Sequence, residues 1–296
     1  MSRRQVAALL LHVADWQLPE PTRRIAPTVA LCNLSGTRVA ALYERLCAET
    51  GIDDGEPLMY EAYALFEPSD GSAYHLGADD PYALADRVAN LLAVASSRSL
   101  TWSRMIWSED QFETSTDTAA VHQAGPQTDF LQDSRIVLDA PTVDAVETMW
   151  AITNPMWEAE KSSGRVINAL SYFYYAWRAH YIEHICLNLA IALEVLFAPH
   201  SQSETTHQLC FNLARFAGAE SGAREDIYNR VKRFYRIRSS IVHGGIPDDG
   251  KIIDTTVDMF HLTAHILKRI LTDRALAATF NDSSAQRALW KSYLFD

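Results

Sequence analysis

The stretch GRVINALSYFYYAWRAHYIEHICLNLAIALEVLF, residues 164–197, limits the fold more than any other part of the chain. After Gly164 it contains neither Pro nor Gly, the residues that most readily interrupt a helix. At about 1.5 Å per residue an unbroken helix of this length would span roughly 50 Å, and Pro199 ends it. Its most apolar part, CLNLAIALEVLFA, carries Glu194 and falls short of the roughly 18 uncharged residues that a membrane span requires. It reads as a buried helix segment.

More helices follow. THQLCFNLARFAG predicts a helix over 205–217 with Gly218 behind it, another covers 223–240, GGIPDDG (244–250) is a loop, and a further helix covers 254–273. The last of these places Val257, Phe260, Ala264, Leu267 and Leu271 on one side. A short tail helix is expected around 284–293. Helices joined by short connections predict an α bundle.

The first half reads differently. Residues 1–50 are moderately helical, with the period clearest over 36–50 (Val39, Leu42, Tyr43, Leu46) and Gly51 as the stop. Residues 56–71 suggest a strand with Leu58, Tyr60, Tyr63 and Leu65, closed by Pro68 and Asp70-Gly71. DDPYALADRVANLLAVAS (79–96) has an acidic cap, Pro81 in its first turn and a Leu84, Val88, Leu91, Leu92 stripe, which is a helix pattern. Strands are expected over 99–110, with Trp102 and Trp107, and over 135–139. The polar stretch 111–134 between them is a long loop or a boundary. Pro141 and Thr142 open a helix that reaches Pro155. The expected class is therefore α+β: a mixed α/β domain of unassigned role over 1–140, then an all-α helical bundle over 141–296.

Composition narrows the functional classes. With 48% hydrophobic and 21% charged residues the chain is globular, not disordered. A formal net charge of -11 excludes indiscriminate binding to nucleic acid or anionic lipid, so any such contact needs a local basic patch. Cys32, Cys47, Cys186 and Cys210 include no CxxC pair, which points to reduced core thiols, no structural zinc and a cytoplasmic location. The N-terminal AALLL run is too short for a secretory signal, and no membrane association is expected.

The basic patch lies between Arg224 and Arg238. Arg224, Arg230, Lys232, Arg233, Arg236 and Arg238 face only Glu225 and Asp226 there, with Tyr228, Phe234 and Tyr235 interleaved. Acidic residues first and basic residues later also suit the helix dipole. A solvated helix face is one reading. The other is a phosphate-binding face in which Arg230, Arg233, Tyr235 and Arg236 contact RNA through guanidinium forks and ring stacking. Arg238 and His243 follow at the helix end. On a regular helix they lie about 140° apart, so a break near Ser239-Ser240 or a second subunit is needed to bring them together. An arginine can stabilise charge growing on a phosphoryl group, and a histidine can exchange a proton near neutral pH.

Residues 160–275 as a whole resemble the HEPN superfamily, and most closely its Apea-like domains. ALEVLF (192–197) is similar to the signature that ends the long first helix of those domains. A polar insert and HQLCFNLARFAG follow, and YRIRSSIVHGG (235–245) resembles their Y-x-x-R-(S/N)-x-ivHG stretch. The resemblance implies a dimeric HEPN-like bundle acting as a metal-independent ribonuclease, with Arg238 and His243 catalytic and Ser239 and Glu194 supporting. It implies no cofactor. It also implies RNA as partner, a homodimer through the bundle and an antitoxin or defence partner protein, with a role in toxin–antitoxin or antiviral defence. Active members often carry Asn, Asp or His where this chain has Ser239. The alternative implied by the same family is a non-catalytic module that binds RNA or a protein.

Three further features have structural readings. Glu194, a carboxylate in an apolar stretch, needs a partner such as Arg238 or Arg236. His180/His184 and His261/His265 have i,i+4 spacing but no third ligand, so they read as surface histidines. Trp157, Tyr172, Phe173, Tyr174, Tyr175 and Trp177 wrap around their helix and cannot all face one core.

Overall fold

The structure, a computed structural model, describes residues 6–11, 13–50, 62–67, 81–98, 100, 102–114, 117–120, 136–158, 164–198, 205–245 and 249–293. A mixed α/β N-terminal region is followed by a mostly helical C-terminal region. Two compact units divide the chain, and among the described residues the division falls after Ala151.

The N-terminal unit is built on β1 (Val6–Leu11), β2 (Val13–Trp16), β3 (Thr22–Ala26), β4 (Val29–Asn33), β5 (Ala62–Phe66), β6 (Trp102–Ser108), β7 (Asp117–Ala120) and β8 (Ile136–Leu138). Six of these form one antiparallel sheet in the order β3-β4-β5-β1-β6-β7, and β2 pairs with β8 in parallel. The helical expectation for residues 1–35 is corrected by this sheet. VAALLL is β1, whose six residues are all buried between β5 and β6. A strand covered on both faces loses the apolar/polar alternation, and a short apolar run cannot be told from a helix turn by its period.

Two helices complete the sheet layers. On α1 (Arg38–Thr50), Val39, Leu42 and Tyr43 are buried in one cluster with Ala8 and Leu10 of β1, Cys32 of β4, Tyr63 of β5 and Ile106 of β6. The alternate residues Ala7, Leu9 and Leu11 are equally buried and face the other way. The expected stripe of α2 (Pro81–Ser96) is buried at Leu84, Val88, Leu91 and Leu92, and the helix packs on β5. At the sheet edge, Arg23 of β3 reaches Asp144 at 2.9 Å and Glu147 at 3.2 Å on α3 (Ala140–Glu158). Helix α3 runs on through Pro155. Gly51, Leu58, Tyr60, Pro68, Asp70 and Gly71 lie outside the described residues, as does 121–134 of the polar stretch. Residues 117–120 of that stretch form β7.

In the C-terminal unit the long run is two helices, not one: α4 (Arg165–Trp177) and α5 (Ile182–Phe197). Arg178 closes α4 and Tyr181 opens α5 in an extended conformation, with φ -105 and ψ 135. Burial explains the break. Phe173 and Trp177 on α4 and Cys186, Leu189 and Leu193 on α5 are fully or almost fully buried, and folding back lets α4 pack on α5. Then come α6 (Thr205–Ala217), α7 (Ser221–Val242), α8 (Asp249–Leu271), α9 (Arg274–Asn281) and α10 (Ser283–Ser292). Helix α5 packs against α4, α6, α7 and α8. Phe173 stacks on Phe260 of α8 with ring centroids 5.0 Å apart, and Phe197, Phe216, Phe280 and Trp290 form a second aromatic cluster. Helix α9 is a further element beyond the expected tail helix. It starts where the Asp273 side chain accepts a hydrogen bond from the Leu276 N–H, a capping that lets the chain restart directly after α8.

No helix among the described residues is long and apolar enough to cross a membrane. The four cysteines are free, with Cys32, Cys186 and Cys210 buried. Burial raises the Cys186 thiol to about 12 and the Cys210 thiol to about 11, so both are protonated at neutral pH.

Candidate anion-binding site on helices α7 and α8

Helix α7 buries Ile227, Val231, Phe234 and Tyr235, an i, i+4, i+7, i+8 stripe that turns one face to the bundle. The basic residues occupy the remaining surface and divide by what they touch.

Arg224 is structural. Its Nε donates to the Gly218 carbonyl at 3.0 Å and its Nη2 to the Ala219 carbonyl at 3.3 Å, satisfying acceptors at the end of α6. Arg230 donates from Nε and Nη2 to both carboxylate oxygens of Asp258 on α8, with Nε–Oδ2 at 2.7 Å, and from Nη1 to Asp226 at 3.3 Å. Those hydrogen bonds, to Asp258 first, raise its pKa further above the ordinary arginine value. Lys232 lies 5.8 Å from the centroid of the Tyr228 ring. Arg233 and Arg236 are exposed and make no ion pair or side-chain hydrogen bond among the described residues.

Those two arginines line a groove of about 740 Å³ between α7 and α8. Arg230, Ile237 and Ser240 join them from α7, and Lys251, Asp254, Thr255 and Asp258 lie opposite on α8. The α8 residues were not among the expected site residues. Their signal is the polar i, i+4 row of Asp254 and Asp258, opposite in sense to the apolar stripe by which that helix is recognised.

The remaining motif residues have local structural explanations. Tyr235 is buried and its hydroxyl donates to the Ala190 carbonyl at 3.2 Å, so it supports the bundle instead of offering a ring to RNA. Arg238 Nη2 lies 3.5 Å from Glu194 Oε1, each side chain about a third exposed at 32% and 31%. Arg238 Nε is buried with no hydrogen-bond partner among the described residues. Burial raises the Glu194 pKa, and Arg238 partly opposes that rise. The fold thus brings together the middle of ALEVLF and the arginine of YRIRSSIVHGG.

His243 is exposed and stands one residue past α7. The helix runs without a break through Ser239 and Ser240 to Val242, so Arg238 and His243 stay on different sides of it. Ser239 is exposed. The two glycines terminate the helix. Gly244 takes φ 76, its N–H donates to the Ile241 carbonyl, and the Gly245 N–H donates to the Ser240 carbonyl at 2.8 Å. This is the paired bonding of a Schellman ending, which needs a left-handed residue where glycine is favoured. A Cβ on Gly245 would sit 2.3 Å from Ser240 Oγ.

The expectation of a ribonuclease, with the hydrolase and toxin–antitoxin labels attached to it, is therefore corrected. Among the described residues no group of three or more His, Cys, Asp or Glu could hold a metal ion. Within one chain Arg238 and His243 are not brought together: Arg238 meets Glu194 while His243 faces solvent. His180, His184, His261 and His265 are likewise exposed. In the aromatic patch, Phe173 and Trp177 are core, whereas Tyr175 is 54% exposed.

Comparison of the chain with protein-family models, with curated proteins and with solved structures found no match.

Proposed function

We propose that the C-terminal unit is a non-catalytic binding module that holds single-stranded RNA in the α7–α8 groove. The resemblance to HEPN domains forms part of this proposal as a description of the bundle. One observation carries it: Arg233 and Arg236 line the groove with no carboxylate partner among the described residues, in a protein whose net charge is -11. An exposed arginine gains only about 0–1 kcal/mol from a single carboxylate. Against a polyphosphate chain each neutralised phosphate also releases condensed counterions, so several exposed contacts become useful together. Ile237 adds an apolar surface to the groove, and guanidinium planes can stack on bases.

The test is fluorescence anisotropy with a labelled single-stranded RNA, comparing the wild type with the double variant Arg233→Ala/Arg236→Ala. Saturable binding by the wild type, weakened about tenfold or more in the variant, is expected. No binding by the wild type overturns RNA as the ligand, and an acidic peptide is then the next probe of the same groove. Equal binding by both proteins removes the groove from the site.

A further inference from the structure

A cavity of about 450 Å³ opens in the N-terminal unit between the start of α1 and strands β1 and β5. Val6, Val39, Tyr63, Leu65 and Phe112 give it aliphatic and aromatic walls. It is the open end of the packed layer between α1 and the sheet, since Val6, Val39, Tyr63 and Phe112 also belong to the core cluster there.

The charged rim is already committed. Arg38 pairs with Glu113 at 3.1 Å, Glu67 pairs with Arg24 at 2.8 Å, and Glu109 is engaged as well. Gln111 also lines the cavity, is exposed, and makes no side-chain hydrogen bond among the described residues. Among the described residues the site therefore offers an amide for hydrogen bonding and no uncommitted charge.

The lip is built against backbone preference. Gln111 and Phe112 are consecutive non-glycine residues at φ 57 and φ 68, in the left-handed region that a bulky side chain avoids. Local hydrogen bonds hold them there. Ser108 Oγ accepts from the Phe112 N–H at 2.8 Å, and the Asp110 carboxylate accepts from the Thr114 N–H at 2.9 Å and the Thr114 hydroxyl at 2.6 Å. Those bonds to Thr114 hold the Asp110 carboxyl well below the usual carboxylate range. Glycine would make this turn without strain. Glutamine and phenylalanine instead put an amide and a ring at the mouth of the cavity. Strain held in place by its surroundings in this way clusters at ligand clamps.

We propose that this cavity binds a small, uncharged, largely apolar molecule bearing a hydrogen-bonding group, with Phe112 as wall and Gln111 as polar contact. The site is independent of the RNA groove. A neutral ligand keeps its contacts with the apolar walls, whereas a charged one is desolvated against a rim whose ions already have partners.

Isothermal titration calorimetry on the full chain tests this with three probes that share one ring system: tryptophol (neutral), tryptamine (cation) and indole-3-acetate (anion). Saturable binding of tryptophol is expected, with both charged probes about tenfold or more weaker. The variant Gln111→Gly separates a site from a merely structural turn. It relieves the left-handed strain, so its Tm rises, and it removes the amide, so tryptophol binding falls by about fivefold. No saturable tryptophol binding overturns the proposal. So does equal binding of all three probes, or unchanged tryptophol affinity in Gln111→Gly.

Discussion

Two parts of α7 carry the same residue type to different ends. Around Arg230 and Arg238 each guanidinium meets a carboxylate from a neighbouring helix, Asp258 on α8 and Glu194 on α5. Between them, Arg233 and Arg236 meet none among the described residues and line an open groove. In sequence all four are arginines in one basic segment. What separates them is position around the helix, and so which neighbours their side chains can reach. The first pair ties helices together. The second pair leaves positive charge available on an acidic protein, and on that contrast the proposed RNA groove rests.

The contrast can be broken or sharpened by measurement. The largest effect belongs to the face beneath the arginines. Phe234 is fully buried, so Phe234→Ala should cost about 3–5 kcal/mol in denaturant unfolding, while Lys232→Ala on the exposed side should change stability by less than about 0.5 kcal/mol. Comparable losses from the two would show that α7 has no inner and outer face. Next, the salt dependence of RNA binding should fall in the double variant Arg233→Ala/Arg236→Ala. Removing two phosphate contacts reduces the slope of log K against log salt by about 1.4, and an unchanged slope would place the phosphate contacts elsewhere. Converting the first kind of arginine into the second is the sharper experiment. Among the described residues Asp258→Ala leaves Arg230 only its bond to the exposed Asp226, so RNA affinity should rise while stability falls by about 1 kcal/mol. A fall in both would mean that Arg230 must stay paired for the groove to keep its shape.

The smallest effect is a pH dependence at the other pair. Burial raises the Glu194 pKa in the folded protein above its ordinary value, with Arg238 opposing. The folded state then holds its proton more tightly than the unfolded chain, so this residue's contribution to stability decreases as pH rises from the ordinary carboxylate range through the raised value. Glu194→Gln lacks that titration. Thermal unfolding at a series of pH values should show the variant gaining on the wild type across that window and holding a constant difference above it. A difference that does not change with pH would place Glu194 in a fully solvated setting.

Much of this was legible in the sequence, for reasons that differ from element to element. The α2 stripe, the α8 stripe and the helix over 205–217 were readable because one apolar face per turn is enough to mark an amphipathic helix. Strand β1 was not, because burial on both faces erases alternation. The break between α4 and α5 was hidden for a related reason. No Pro or Gly marks it, and the fold-back is driven by apolar surface on both sides of Arg178–Tyr181 finding each other. The pairing need of Glu194 was legible from charge in an apolar run, but the choice of Arg238 over Arg236 depended on helix packing.

By itself the sequence determined the local matters: which segments are amphipathic, where capping and helix-ending residues stand, and that an acidic chain concentrates positive charge between Arg224 and Arg238. These depend on neighbours a few residues away, and propensity and periodicity report such neighbours directly. Tertiary structure alone decided how the basic segment and the residues after it are used. It placed Arg238 against Glu194 and Tyr235 under α5, and it left His243 in solvent. A guanidinium or an imidazole takes its chemistry from what lies within a few ångströms. For α7 those neighbours come from α5 and α8, elements distant in the chain that only packing brings near.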